Sequence, residues 1–277
     1  MSAIIRGMIP AANLTLLYGQ LPLEARFASA ARDGFGAVEI LFPYDQSPAW
    51  YAERLREHGL QLVLVNTPVD PSSAPMGRAA QAGAAAAFRA DFDRAAALCD
   101  ATGCRAIHVM AGCVPPGDAA SRSALLENLA GVCAAYPELT VQLEALNCHD
   151  VPGYFYSEPA TVRGILQEAG LDSLGMQFDF YHVLRQGLSL SAELEASLPW
   201  IRHVQVAGSP DRHEPDLSRD SLRAGFERLH QAGYRGHVGY EYRPASSITE
   251  GLKWADELLG TIFHSTGGPR PLNLDHS

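Results

Sequence analysis

The chain has 277 residues, 47% of them hydrophobic, with 31 acidic against 21 basic side chains and a formal net charge of −10. That length can bury a large core, and the acidic balance argues against a nucleic-acid or anionic-membrane surface. Five cysteines (Cys99, Cys104, Cys113, Cys133, Cys148) without CxxC spacing signal neither a zinc knuckle nor a disulfide framework, so reduced thiols in the cytoplasm are expected. The opening stretch MSAIIRGMIPAANLTLLYG has no basic segment followed by an apolar one, and no apolar run reaches membrane-spanning length.

Residues 12–18 read as a first strand ending at Gly19, followed by helical spacing over 21–34 that closes on Gly34. AVEILFP (37–43) reads as a strand, and a helix from about Ser47, with Pro48 in its first turn, runs to Gly59. QLVLVNTP (61–68) is a third strand, followed by a Gly/Pro-rich polar loop over 69–84, a helix at 86–101 and a fourth strand, RAIHVMAG (105–112). The alternation continues as helix 121–135, strand 139–146, helix 158–169, strand 174–180, a short helix near 191–197, strand 201–207, helix 219–232, strand 237–242 and helix 247–259. Alternating β and α segments with continuously apolar strands predict a parallel sheet covered on both faces. Eight such pairs predict an α/β fold, a closed (β/α)8 TIM barrel, as one domain over residues 1–264 with a loosely ordered tail over 265–277.

Four of the strand runs each carry a polar intruder near the C-terminal end: Glu144, Asp179, Gln205 and Glu241. A carboxylate in an apolar run is costly unless paired, hydrogen-bonded or on a metal. Strand ends of one barrel converge, so the four side chains are expected to meet. Three neighbouring carboxylates would raise one another's pKa unless a cation sat among them, and an oxygen-only donor set favours Mg²⁺ or Mn²⁺. His182 lies three residues after Asp179, at the turn leaving the sixth strand, Arg212 lies in the loop after the seventh strand, and Glu39 and His108 stand near the ends of the second and fourth. All four are candidates for substrate contact, with a capping, solvated or structural role as the plain alternative.

The succession NLTLLYG, GFGAVEILFPYD, HGLQLVLVNTP, LEALN, DVPGYF, QFDFYH, HVQVAG, DRHEP and GYEYRP resembles the hydroxypyruvate isomerase family over about residues 12–260. That family lies among the xylose-isomerase-like TIM barrels, with the 2-oxo-tetronate isomerases and ketose 3-epimerases. The resemblance implies one divalent metal on Glu144, Asp179, Gln205 and Glu241, the two glutamates acting also as an acid/base pair, and substrate contacts from His182 and Arg212. It implies a metal-dependent isomerase of a small hydroxy-carbonyl acid or sugar working through an enediol(ate). The alternatives are a ketose 3-epimerase, which Gln205 in place of His disfavours, and a catalytically silent sugar-binding barrel. A DNA-repair endonuclease on this fold would want a basic surface and a His-rich multi-zinc site. The loops after strands three (VDPSSAPMGRAAQAG), five (Asn147-Cys148-His149) and seven (Ala207-Gly208, Asp211) depart from the family pattern. A small-molecule substrate is the expected partner, with neither nucleic acid nor membrane, and a homo-oligomer is compatible with the composition.

Overall fold

Side chains alternate along each strand, and the two faces of this sheet have different chemistry. In the computed structural model, which describes residues 7–255 apart from 116 and 218–219, outward strand positions such as Val141, Leu143, Met176, Phe178, Val204, Val206 and Val238 join one apolar core with the helices. Inward positions are mostly polar: Asn13, Glu39, His108, Gln142, Gln177, His203 and Gln205 are all buried. Among the described residues, Ala11, Ala37 and Val63 form a small apolar cluster apart from the main core. The strands are therefore buried on both faces, as expected, but they are not apolar on both.

The elements run β1 (Ile9–Asn13), α1 (Leu23–Arg32), β2 (Ala37–Ile40), α2 (Pro48–His58), β3 (Gln61–Asn66), α3 (Ala85–Thr102), β4 (Ala106–His108), α4 (Ala119–Ala135), β5 (Thr140–Leu143), α5 (Pro159–Ala169), β6 (Leu174–Asp179), α6 (Phe180–Arg185), α7 (Leu190–Ser197), β7 (Ile201–Val206), α8 (Asp220–Gln231), β8 (His237–Tyr240) and α9 (Ile248–Gly251). The strands pair in parallel in sequence order, and β8 closes on β1. This is the (β/α)8 barrel that the alternation predicts. Among the described residues, no helix is long and apolar enough to cross a membrane.

The differences from the expected boundaries have local causes. The first strand ends at Asn13 rather than running over 12–18, because the Asn13 Oδ1 accepts from the Thr15 and Leu16 amides, each at 3.1 Å, and turns the chain. Helix α6 was not expected at all. Asp179 closes β6 and also caps α6, its Oδ1 accepting from the Tyr181 amide at 2.8 Å. Helix α2 spans the expected stretch, with Ser47 Oγ accepting from the Trp50 amide at its start and Gly59 ending it at φ 63°. The expected tail over 265–277 and the residues after 255 of the expected last helix lie outside the described residues.

The Gly/Pro-rich loop after β3 is docked rather than free. Gly77 (φ 86°) bridges Ala111, and Ala80 donates its amide to the Ala111 carbonyl at 2.8 Å. A Cβ at Gly112 (φ 100°) would lie 2.5 Å from the Gly77 carbonyl oxygen, so this crossing of the loops after β3 and β4 admits no side chain. Gly112→Ala should therefore destabilise the protein by more than the roughly 1–2 kcal/mol of a left-handed non-glycine residue alone. Urea unfolding measures this, and a loss below about 0.5 kcal/mol would contradict the close approach.

Candidate active site

Glu144 and Glu241 are the first residues beyond β5 and β8, and Asp179 ends β6. Register places Asp179 beside Gln205 and Gln205 beside Gly239, so the four strand-end side chains converge at one mouth of the barrel. Each of the three carboxyl groups is anchored by a hydrogen bond at one oxygen and has none at the other. Glu144 Oε2 accepts from Gln177 Nε2 at 2.7 Å, Asp179 Oδ1 accepts from the Tyr181 amide, and Glu241 Oε1 accepts from Arg212 Nη2 at 2.6 Å. Glu144 Oε1, Asp179 Oδ2 and Glu241 Oε2 are buried and have no hydrogen-bond partner among the described residues.

Such an arrangement is electrostatically costly, and the titration of the groups reflects it. Burial, then the neighbouring Glu241 and Asp179, push Glu144 well above the ordinary carboxyl range. Burial raises Glu241 to about 8 and Asp179 to about 6, in each case against the opposing pull of Arg212. Arg212 is placed by an unusual backbone: its φ is 55°, its amide donates to the Gly208 carbonyl at 2.9 Å, and its guanidinium stacks on Tyr181 with 4.8 Å to the ring centroid. Its Nη2 reaches Asp179 Oδ2 at 3.7 Å as well as Glu241. The sequence marked Arg212 as a substrate contact; the structure gives it a further partner in Glu241.

His182, in α6, brings Nε2 to 3.7 Å from Glu144 Oε1 and 3.6 Å from Asp179 Oδ2. The ligand atoms of Glu144, Asp179 and His182 lie within 4.8 Å of one another, so by distance alone this trio could hold a cation. The tautomer argues against His182 as a ligand. Both the backbone amide (3.1 Å) and Nδ2 (2.7 Å) of Asn147 point at His182 Nδ1, which must accept. Burial, then Arg212 and His108, hold His182 well below its ordinary pKa, so the ring is neutral and its proton sits on Nε2. An N–H donates; it does not coordinate. His108 Nδ1 lies 3.3 Å from Asn66 Oδ1 and 3.4 Å from Glu144 Oε2, and burial lowers this imidazole to about 3. Its Nε2 has no hydrogen-bond partner among the described residues.

The oxygen set suits a hard divalent cation, because each carboxyl keeps one oxygen hydrogen-bonded and one without a hydrogen bond. Gln205 Oε1, the fourth candidate, accepts from Gln177 Nε2 at 2.5 Å. Glu39 stands apart from the others. Both of its oxygens are taken, by His203 on Oε1 and by Asn13 and Gln205 on Oε2, which leaves neither for a substrate. Sequence reasoning missed Gln177, His203 and Asn147 as partners. The signal was present in the strand alternation, which sets Gln177 on the face of Asp179 and His203 on that of Gln205. Arg212→Met should carry the Glu241 titration to still higher pH than about 8, since the opposing cation is gone. Carboxyl ¹³C NMR titration reads this, and an unmoved Glu241 would show that Arg212 does not govern it.

Residues 27–258 match the xylose isomerase-like TIM barrel family. A 2-oxo-tetronate isomerase of Cupriavidus necator is 39% identical over 255 residues, covering 90% of this chain and 98% of that protein. A putative hydroxypyruvate isomerase of Homo sapiens is 39% identical over 270 residues (93% and 97%), and the hydroxypyruvate isomerase of Escherichia coli 30% over 250 (88% and 97%). Among solved structures, an AP endonuclease, family 2, from Brucella melitensis superposes with a TM-score of 0.85 at 35% identity, covering 89% of this chain and 97% of that one. A D-psicose 3-epimerase, at 16% identity and a TM-score of 0.71, shares the fold. On these matches the chain belongs to the xylose isomerase-like TIM barrel family, as an isomerase of the hydroxypyruvate isomerase group.

Proposed function

We propose that the protein isomerises a small hydroxy-carbonyl acid, of the class that hydroxypyruvate and the 2-oxo-tetronates represent, through an enediol(ate), with Glu144 and Glu241 as the acid/base pair. The observation that carries this reading is the trio of buried oxygens on Glu144, Asp179 and Glu241 that have no hydrogen-bond partner among the described residues. With Gln205 Oε1 they would hold one divalent cation, Mg²⁺ or Mn²⁺, which when bound polarises a carbonyl and stabilises charge developing on oxygen.

The chain's own groups account for the proton movement. Interconverting adjacent hydroxyl and carbonyl positions requires one base to take a proton from carbon and one acid to return it to the neighbouring carbon. Glu144 and Glu241 come from β5 and β8, so they approach the barrel mouth from separate strands. Burial raises both carboxyls while Arg212, hydrogen-bonded to Glu241, favours the anion there, so Glu241 suits the base and Glu144, raised also by the neighbouring Glu241 and Asp179, suits the acid. The His182 Nε2–H, 3.7 Å from Glu144 Oε1 and 3.6 Å from Asp179 Oδ2, would donate to a substrate oxygen beside both carboxyls. The five cysteines are all free, which supports a reducing, cytoplasmic setting.

Glu144→Gln and Glu241→Gln should each lower turnover by about 10²–10⁴-fold while the protein stays folded. Hydroxypyruvate and 2-oxo-tetronate conversion followed by NMR in D₂O is the measurement, and activity retained in both variants would sink the assignment. Cation binding must also displace protons from Asp179 and Glu241, raised to about 6 and about 8. Mn²⁺ affinity should therefore rise with pH across that window, with proton release visible by calorimetry in two buffers. PH-independent affinity there would contradict it.

A further inference from the structure

We infer that Glu39 is a positioning residue: through Gln205 and Gln177 it sets the orientation of two amides and thereby of Glu144. Glu39 is fully buried in β2, yet its carboxyl reaches across the barrel to β7. The path is built for it. A Cβ at Gly239 on β8 would lie 2.0 Å from Glu39 Oε1, so the side chain passes where β8 carries no side chain. The carboxyl then meets His203 Nε2, accepts from Asn13 Nδ2 at 3.1 Å and accepts from Gln205 Nε2 at 2.8 Å.

The last of these bonds decides an orientation that the amide alone leaves open. The oxygen and nitrogen of a glutamine amide have nearly the same shape, so the partners decide which end points where. A carboxyl oxygen that already accepts from Asn13 demands the Gln205 NH₂ group, and this turns Gln205 Oε1 towards the carboxyl cluster. There Oε1 receives one hydrogen of Gln177 Nε2 at 2.5 Å, and the other hydrogen goes to Glu144 Oε2 at 2.7 Å. One relay, Glu39–Gln205–Gln177–Glu144, thus presents the Gln205 carbonyl to the cluster and pins one oxygen of Glu144 while leaving the other without a hydrogen bond. If Gln205 were reversed, its oxygen would face Glu39 and its NH₂ would face that of Gln177.

This inference rests on the cation reading for its effect on binding, and not for its geometry. Mn²⁺ binding to the purified full chain is measured by EPR and calorimetry for wild type, Glu39→Gln, Gly239→Ala and Gln205→Ala, with unfolding temperatures alongside. Loss of an outer partner typically weakens metal affinity by about 10–100-fold, and that weakening is expected in Glu39→Gln and Gly239→Ala, with no further loss when Glu39→Gln is added to Gln205→Ala. A merely structural role would lower the unfolding temperature and leave the affinity of the folded protein unchanged. Wild-type affinity in folded Glu39→Gln and Gly239→Ala overturns the positioning role while the cation reading stands. If the wild type binds no Mn²⁺, the cation reading fails, and the side-chain amide signals of Gln205 and Gln177, assigned by deletion, judge the relay. Signals that shift or exchange faster in Glu39→Gln support it; unchanged signals overturn it.

Discussion

The cost of taking four carboxyl groups out of water inside one barrel shapes the rest of this structure. Glu39, Glu144, Asp179 and Glu241 are all buried, and the fold treats them in two ways. Glu39 is saturated with partners. The other three are each held by a hydrogen bond at one oxygen and have none at the second among the described residues, with Arg212 reaching Glu241 by a hydrogen bond and Asp179 by a longer ion pair. Groups held this far above their ordinary titration store unfavourable energy in the folded protein, and a proton or a cation relieves it.

That packing is what the outward strand faces and the helices supply. Phe178, Phe180 and Phe226 form a continuous aromatic contact, with ring centroids 5.8 and 5.0 Å apart, that packs β6, α6 and α8 together behind Asp179 and His182. A rigid wall there matters because Asp179 has two tasks: one oxygen caps α6, and the helix so started carries His182 back to the cluster. Asn147, from the loop after β5, then fixes the His182 tautomer and, through Asp150, ties to Tyr181. Tyr181 in turn supports the guanidinium of Arg212. The elements after β5, β6 and β7 are thereby one connected unit, although the sequence departs from the family pattern in two of them. Loops of this kind commonly carry the substrate contacts on a barrel scaffold.

The sequence by itself determined the alternation of strands and helices, the eight-fold closure it implies, and the positions of Glu144, Asp179, Gln205 and Glu241 at strand ends. These are local properties: apolar periodicity, caps and turn residues act within a few positions and can be read along one chain. Even here Asn13 cut the first strand short and Asp179 started an unexpected helix, because side chains of that type compete for backbone amides. Only the tertiary structure decided that Glu39 serves His203 and Gln205 instead of a ligand, that the neutral His182 carries its proton on Nε2, and that Arg212 reaches Glu241. The residues of the Glu39–His203 pair stand 164 positions apart and meet solely because register and barrel closure bring β2 and β7 across a glycine. Strand patterning states which face a side chain takes, whereas its partner on that face depends on the register and closure of the whole sheet.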